Sequence, residues 1–242
     1  MGVLLFGHRG ARGLAPENTL PSFRTAVEYG VDGVELDVHL SKDGEVIVMH
    51  DDRVDRTTNG SGYIKDLTSA EIKALDAGIK FSEKFRGTKV PLLEEVLKEF
   101  GSRILYKIEI KHSSKIYPGI EEKVVDIIER MNLVDRAQVI SFDFDSLQAV
   151  KELNPRINTG IIIEGRPHWF IDVAKRLNAS WVHAFSGLVY DSDDVKKLHE
   201  EGLKLGVWTI NDRESIIRFC NMGVDDITSD YPNLLVQLCK KA

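Results

Sequence analysis

Short aliphatic runs alternate with amphipathic stretches along the whole chain. Eight of the runs have the β-branched or aromatic character of buried strands, and Gly, Asp, Asn or Pro residues bound them. These predicted strands span residues 3–6, 34–38, 104–110, 138–142, 157–163, 181–185, 203–210 and 226–228. Between them, apolar residues at helical spacing predict eight helices, at residues 19–29, 92–100, 120–131, 144–153, 170–177, 193–201, 213–222 and 233–240.

The regular alternation predicts one α/β domain over residues 1–242, folded as a (β/α)8 TIM barrel. A doubly wound open sheet is the structural alternative, but the near-regular repeat of eight β/α units favours closure. Residues 51–90 interrupt the repeat between the second strand and its helix, with one short helical pattern at 69–75. We expect this insertion on the C-terminal face of the barrel, where substrate loops collect.

Composition narrows the class of protein. The hydrophobic fraction of 43% suits a globular protein with a full core, and the formal net charge of −6 argues against a general nucleic-acid binder. No run reaches the length of a membrane-spanning helix, and the apolar N-terminus lacks the features of a signal peptide, so we expect a cytoplasmic protein without stable membrane association. Cys220 and Cys239 form no CxxC motif, and we expect two reduced, mostly buried thiols.

Strand periodicity directs a set of charged residues into the barrel. Alternation puts Glu35 and Asp37 on the face opposite the apolar residues of the second strand, and the third strand repeats the pattern with Lys107, Glu109 and Lys111. Because buried charges are costly unless they are paired, the set is either a salt-bridge network or a cation site. Three carboxylates suit one hard divalent cation, Mg²⁺ or Ca²⁺ with Mn²⁺ as a further option, better than Zn²⁺.

Two histidines are expected beside these acids. His8 follows the first strand, which neighbours the second strand in a barrel. Asp43-Gly44 is a two-residue hairpin signal, and that loop would place His50 opposite Asp37 unless a bulge shifts the register by one. Asp51 is positioned to orient the ring of His50. The other histidines are interpreted as structural or surface residues, with His112 and His183 favoured to line the mouth of the barrel: His39, His112, His168, His183 and His199.

These residue types fit the cleavage of a phosphodiester. A divalent cation holds phosphate oxygens and lowers the pKa of a coordinated hydroxyl. Arg9 and Lys111 would offset the charge that builds on the non-bridging oxygens. One histidine would take a proton from the attacking oxygen and the other would protonate the departing alcohol, which an imidazole pKa of about 6.5 permits near neutral pH.

Nine short motifs resemble those of the glycerophosphodiester phosphodiesterase family, in its bacterial single-domain form. They occur in the family's order and cover essentially the whole chain, so the ordered set is far more specific than any one tripeptide. The motifs are HRG at 8–10, PENT at 16–19, ELDV at 35–38, KDG at 42–44, HD at 50–51, RTTNG at 56–60, EIK at 109–111, VWTIN at 207–211 and TSDYP at 228–232.

The resemblance implies hydrolysis of glycerophosphodiesters, such as glycerophosphocholine, to sn-glycerol 3-phosphate and an alcohol. It assigns the metal to Glu35, Asp37 and Glu109, acid–base catalysis to His8 and His50, and phosphate contact to Arg9 and Lys111. Trp208 corresponds to an aromatic residue that the family places near the glycerol, although a core position on the seventh strand is equally compatible with its pattern. Glu17 is expected to orient Arg9.

The mechanism and two other functions remain open at this stage. The motifs do not decide which histidine is the base, or whether water or the substrate's own glycerol hydroxyl attacks. A phospholipase acting on intact lipid needs apolar loops at the mouth, and the insertion is polar apart from Tyr63, Ile64 and the pair Phe81 and Phe85. A catalytically silent binding module has little reason to keep both histidines and all three acids. Headgroup preference and oligomeric state are not determined by the sequence.

Overall fold

Eight parallel strands close into a barrel in the computed structural model, which describes residues 2–167 and 169–239. Neighbouring strands pair in chain order, and the first barrel strand pairs with both the second and the last. The predicted TIM barrel is therefore confirmed. The strands are β1 (Leu4–Gly7), β2 (Gly33–Leu40), β3 (Val46–Val48), β4 (Leu105–Ile110), β5 (Ala137–Ser141), β6 (Asn158–Ile163), β7 (Trp181–Phe185), β8 (Lys204–Trp208) and β9 (Asp226–Ser229), of which β3 alone is antiparallel.

Helices connect the strands, and the ends of the predicted helices and barrel strands agree with the structure to within two residues. Of the predicted features, His168 and the end of the last helix at Lys240 lie outside the described residues. No helix within the described ranges is both long and apolar enough to cross a membrane. The helices are α1 (Leu20–Glu28), α2 (Ser69–Ala74), α3 (Leu93–Phe100), α4 (Ile120–Arg130), α5 (Phe144–Leu153), α6 (Phe170–Arg176), α7 (Ser192–Glu200), α8 (Arg213–Met222) and α9 (Pro232–Cys239).

Local chemistry sets the ends of several helices. The hydroxyl of Thr19 accepts a hydrogen bond from the backbone N–H of Ser22, and Pro21 occupies the first turn of α1. Asp212 caps α8 in the same way, and Gly223 ends that helix in the left-handed conformation that glycine tolerates. The apolar face of β2 packs against the helices, which leaves its charged face to point into the barrel.

The hairpin between β2 and β3 differs from the sequence-based expectation. Val38 pairs with Val48, and the Asp37 carbonyl accepts a hydrogen bond of 3.0 Å from the Met49 N–H, so Met49 rather than His50 lies opposite Asp37. The predicted register was therefore wrong by one residue. The loop has three residues instead of two, because Gly44 adopts φ +79° and its N–H donates to the Ser41 carbonyl over 3.0 Å.

The insertion at residues 51–90 has a small apolar core of its own, which packs against β3. It contains α2 and two single-turn 3-10 segments, Ile64–Asp66 and Glu83–Phe85. Seven buried residues form this core: Ile47, Met49, Val54, Ile64, Ile72, Ala77 and Val90. The insertion is therefore anchored beside the strand that leads to His50.

The two cysteines are joined rather than free. Cys220 on α8 and Cys239 at the end of α9 form a disulfide, with their Cα atoms 5.9 Å apart. The expectation of two reduced thiols was therefore wrong. The last two helices of the barrel pack side by side, and this brings together cysteines 19 positions apart that form no recognisable spacing motif.

Candidate active site

A cavity of about 240 Å³ opens at the C-terminal ends of the barrel strands. One side carries the predicted charged residues and the other side is mainly apolar. His183 lines the cavity, whereas His112 stacks on Tyr117 and is not among the lining residues. The lining residues are His8, Arg9, Glu35, His50, Lys107, Glu109, Lys111, Ile140, Phe142, Ile162, Glu164, His183, Trp208 and Thr228.

Three buried carboxylates, Glu35, Asp37 and Glu109, form an acidic cluster on adjacent strands. Asp37 of β2 pairs with Glu109 of β4, and one oxygen from each of the three groups lies within 4.8 Å of the others. Burial, together with repulsion from Asp37 and Glu109, raises the pKa of Glu35 well above its ordinary value. Burial and the charge of Asp37 raise the pKa of Glu109 to about 7. Hard oxygen donors at this spacing fit a divalent cation, whose charge would relieve that repulsion.

Two cations border the acidic cluster: Lys111, which the strand pattern directed into the barrel, and Arg9, which follows the first strand. Lys111 Nζ lies 2.6 Å from Glu109 Oε1 and 3.5 Å from Asp37 Oδ1. Arg9 Nη1 donates to Glu17 Oε1 over 2.8 Å, while Arg9 Nε is buried and has no hydrogen-bond acceptor among the described residues. Arg9 Nε lies 3.5 Å from Asp37 Oδ2, so the charge of Arg9 is paired with the acidic cluster through a contact too long for a strong hydrogen bond.

The backbone at Arg9 is strained in a way that serves the site. Its φ of 49° lies in the left-handed region, which is uncommon for residues other than glycine. In this conformation the Arg9 N–H donates to Glu35 Oε2 over 2.9 Å, and the Arg9 carbonyl accepts from the Asn18 N–H over 3.0 Å. Asn18 in turn donates from Nδ2 to Asp37 Oδ2 over 2.7 Å, so one loop fixes two of the three acids.

His8 is held between two acids at the end of β1. Its Nδ1 lies 2.6 Å from Asp230 Oδ1, and its Nε2 lies 3.9 Å from Glu35 Oε2. Asn211 donates from Nδ2 to the other oxygen of Asp230 over 2.8 Å. Burial lowers the pKa of His8, and the hydrogen bond to Asp230 offsets part of that effect.

The ring of His50 is oriented by Asp51. This carboxylate belongs to a series of ion pairs that continues through Arg56 and Glu17 to Arg9. His50 Nδ1 lies 2.7 Å from Asp51 Oδ1, as expected from their adjacency. Arg56 donates to both oxygens of Asp51, over 2.6 and 2.9 Å, and to both oxygens of Glu17, over 2.7 and 2.9 Å. Glu17 therefore links Arg9 to the insertion. Burial lowers the pKa of His50, while the charge of Asp37 acts in the opposite direction.

The side chain of Lys107 points away from the acidic cluster and pairs with Asp226 across the interior of the barrel. Its Nζ lies 2.5 Å from Asp226 Oδ1 and 2.9 Å from Thr228 Oγ1, and it sits 4.0 Å from the centre of the Phe6 ring. The two inward lysines predicted from β4 thus have separate roles: Lys111 borders the acids and Lys107 forms the floor of the cavity.

An aromatic wall is made of Phe142, Phe185 and Trp208, of which Phe142 and Trp208 line the cavity. The Trp208 ring meets Phe142 and Phe185 edge to face, with ring centres 5.9 and 6.0 Å apart. Its Nε1 donates to the His183 carbonyl over 3.1 Å. Trp208 is half-buried and lines the cavity, so it is available to a ligand.

Several residues of the site were not assigned a role from the sequence. Asp230 and Asn211 support His8, Arg56 supports Asp51, and Asp226 pairs with Lys107. Arg56, Asn211 and Asp230 belong to the motifs RTTNG, VWTIN and TSDYP, respectively. These motifs were the indication in the sequence that the three residues belong to the site. Their contacts could not be read from spacing, because Asp230 is 222 positions away from His8.

The charged cavity lies at the C-terminal mouth of the (β/α)8 barrel, where enzymes of this fold class carry their active sites. Residues 8–234 match the glycerophosphoryl diester phosphodiesterase family, and the chain belongs to that family. It is 42% identical over 242 residues to a glycerophosphodiester phosphodiesterase of Caldanaerobacter subterraneus, a match that covers 100% of this chain and 99% of the relative. A second glycerophosphodiester phosphodiesterase, from Bacillus altitudinis, is 38% identical over 237 residues, with 97% of each chain covered.

A solved structure agrees with this assignment. A phosphodiesterase of Oleispira antarctica, in complex with the product sn-glycerol-3-phosphate, matches with a TM-score of 0.90 and 30% identity, covering 99% of this chain and 97% of that chain. The predicted family and enzyme class are confirmed: the protein is a phosphoric diester hydrolase that acts on glycerophosphodiesters.

Proposed function

We propose that the protein hydrolyses glycerophosphodiesters such as glycerophosphocholine to sn-glycerol 3-phosphate and the free alcohol, using one divalent cation and two histidines. The observation that carries this proposal is the convergence of His8, His50, Glu35 and Glu109 on one cavity of about 240 Å³, with Asp37 buried beside the two acids. We further propose that residues 1–242 act as one catalytic domain, since Arg56 of the insertion is bonded to Glu17 beside the cavity.

Glu35, Asp37 and Glu109 are the proposed ligands of the cation, which is Mg²⁺, Ca²⁺ or Mn²⁺ by the chemistry of its oxygen donors. When bound, a cation of this kind supplies Lewis-acid stabilisation of the phosphate oxygens. The charged form of Asp37 is favoured even in the free protein, because Lys111 and Arg9 more than offset the effect of burial and lower its pKa.

Arg9 and Lys111 are proposed to contact the phosphate. Both side chains are largely buried beside Asp37, and their charges oppose the negative charge that builds on the non-bridging oxygens during displacement. Arg9 Nε makes no hydrogen bond to a described residue and lies 3.5 Å from Asp37 Oδ2, so the guanidinium is held beside the acidic cluster, where a phosphate held by the cation would lie.

The two histidines are proposed to move the protons. One imidazole accepts a proton from the attacking oxygen as its bond to phosphorus forms, and the other donates a proton to the alcohol oxygen as its bond to phosphorus breaks. Each ring is fixed by a carboxylate at Nδ1, Asp230 for His8 and Asp51 for His50, so each presents Nε2 for transfer. The attacking oxygen belongs either to water or to the substrate's own glycerol hydroxyl.

Trp208 is proposed to bind the carbon skeleton of the glycerol against the aromatic wall. The half-buried ring offers an apolar face opposite the charged residues, so a ligand with one anionic and one uncharged part would fit the cavity in one orientation. The product in the structure of the O. antarctica relative, sn-glycerol-3-phosphate, has these two parts.

The proposal is tested by incubating the protein with glycerophosphocholine and following glycerol 3-phosphate in Mg²⁺, Ca²⁺, Mn²⁺ or EDTA. We expect release that requires a cation and is lost in His8→Ala and His50→Ala. His199→Ala is a matched control, because His199 lies in α7 and pairs with Asp225 outside the cavity. Equal release in EDTA would exclude the cation. Release of choline or phosphocholine from phosphatidylcholine vesicles, with no cleavage of glycerophosphocholine, would favour an intact lipid as the substrate.

A further inference from the structure

Asp230 holds His8 through a geometry that selects one tautomer of the ring. A carboxylate only accepts hydrogen bonds, so the contact of 2.6 Å between Asp230 Oδ1 and His8 Nδ1 requires the proton to be on Nδ1. The other ring nitrogen, Nε2, is then the one that faces Glu35 and the cavity. In the neutral ring Nε2 carries a lone pair, and in the charged ring it carries a proton.

Asp230 is itself fixed by Asn211. Asn211 Nδ2 donates to Asp230 Oδ2 over 2.8 Å, and Asn211 Oδ1 accepts from the Asp230 N–H over 2.9 Å. The side chain and the backbone of Asp230 are therefore both held by one amide, and only Oδ1 is left to face His8. Arg12 is the nearest cation, with Nη1 3.9 Å from Oδ1.

We propose that Asp230, oriented by Asn211, is a positioning residue that keeps His8 in the Nδ1–H tautomer, with Nε2 available for proton transfer. This inference rests on the proposed acid–base role of His8. A different carboxylate, Asp51 held by Arg56, supports His50. The two supports are linked through Arg12, which lies 3.9 Å from Asp230 Oδ1 and 3.2 Å from Glu17 Oε2.

The geometry predicts how the tautomer of His8 changes when Asp230 is replaced by asparagine, a neutral side chain of the same shape. In Asp230→Asn, the donor of Asn211 requires an acceptor at the former Oδ2 position, which the amide oxygen of the new side chain would fill. The amide NH₂ then faces His8 Nδ1 and forces the proton onto Nε2. The variant therefore reverses the tautomer while keeping the shape of the side chain.

The chain supplies a matched control. Asp225 immediately precedes β9, and its Oδ2 lies 2.7 Å from His199 Nε2. This second histidine–aspartate pair is therefore at the opposite end of the barrel from His8. Asp225→Asn changes a histidine–aspartate pair without touching the cavity. Steady-state kinetics should show that Asp230→Asn lowers kcat by about 100-fold with KM changed by less than about threefold. Asp225→Asn should stay within about twofold of the unchanged protein.

A measurement on the free protein separates this inference from the proposed function. Long-range ¹H–¹⁵N spectra in mildly alkaline buffer report the tautomer of each histidine without any substrate. We expect Nδ1–H for His8 in the unchanged protein and Nε2–H in Asp230→Asn. An Nε2–H ring in the unchanged protein, or an unchanged kcat in a folded Asp230→Asn variant, overturns the inference.

Absence of glycerol 3-phosphate release from the unchanged protein would contradict the proposed function alone, because the tautomer still reports on Asp230. If Asp230→Asn does not fold, Asn211→Ala provides the second test. This variant keeps the Asp230 carboxylate, which accepts the hydrogen bond from His8, but removes the amide that holds that carboxylate in place. We therefore expect a smaller loss of kcat and a mixture of the two tautomers of His8. A single unchanged tautomer with full kcat in Asn211→Ala would overturn the role of Asn211.

Discussion

Lys107 Nζ and Asp226 Oδ1 lie 2.5 Å apart across the interior of the barrel, and both side chains are almost completely buried. Burial lowers the pKa of Lys107 and raises the pKa of Asp226, while the attraction between the two groups opposes both changes. Each charge is therefore tolerated inside the barrel chiefly because the other is present.

Loss of one partner of this pair should cost more stability than loss of both. We expect Lys107→Met to lower the free energy of unfolding by about 3–5 kcal/mol, because it leaves the Asp226 carboxylate buried without its cation. The double variant Lys107→Met with Asp226→Asn should recover much of that loss. Urea unfolding of the two single variants and the double variant measures the coupling, and strictly additive losses would contradict it.

The acidic cluster should make the cation-free protein less stable as pH rises. The pKa of Glu109 is raised from 4.5 to about 7, so between those values the folded state holds a proton that the unfolded chain has released, and stability falls with increasing pH. We expect Glu109→Gln to flatten this slope in EDTA and to abolish stabilisation by Mg²⁺ or Ca²⁺. Thermal unfolding over this pH range tests both effects, with exposed Glu122→Gln on α4 as control.

Glu17 should contribute stability with the opposite dependence on pH. Burial would raise the pKa of Glu17, but its bonds and charge interactions with Arg56 and Arg9 prevail and lower it to about 2. A lowered carboxyl pKa stabilises the folded state above the ordinary value of 4.5, and this contribution is lost as pH falls from 4.5 to about 2. Glu17→Gln should therefore be destabilised by about 3 kcal/mol at neutral pH, and by much less near pH 2. An equal difference at both pH values in urea unfolding would contradict this role.

Trp208 should affect binding more than the chemical step. If the aromatic wall holds the glycerol, Trp208→Leu should raise KM for glycerophosphocholine by about tenfold, which corresponds to about 1.4 kcal/mol, with little change in kcat. Phe81→Leu is a suitable control, because Phe81 is an exposed aromatic residue of the insertion and does not line the cavity. A fall in kcat without a change in KM would place Trp208 in support of His183 instead, through its bond to the His183 carbonyl.

Periodicity was sufficient for the barrel and for the direction of its charged residues. Strand alternation alone placed Glu35, Asp37 and Glu109 on the inner face, and the structure brings them together. The position of His50 depended on one turn, and Gly44 in the left-handed conformation added the residue that shifted the register. A local pattern does not distinguish the two loops, because the sequence Asp43-Gly44 is compatible with either backbone conformation.

Contacts between distant parts of the chain were not accessible to the same reasoning. The pairing of Cys220 with Cys239, of Lys107 with Asp226 and of His8 with Asp230 follows from which helices and strands become neighbours when the barrel closes. Spacing along the sequence reports local periodicity, but it does not give the distance between two side chains on different strands of the closed sheet. The family motifs identified the segments that contain these partners, but not which side chain meets which.

The pairing of β1 with β9, which closes the barrel, also has a consequence for the chain during its synthesis. Leu4 lies beside Asp226 and Gly7 beside Ser229, so the last strand completes the circle that the first one begins. Until β9 emerges from the ribosome, Lys107 lacks its buried counter-charge and His8 lacks Asp230. A polypeptide without β9 thus has neither a complete cavity floor nor an oriented His8, so hydrolytic competence requires that β9 has been synthesised and has paired with β1.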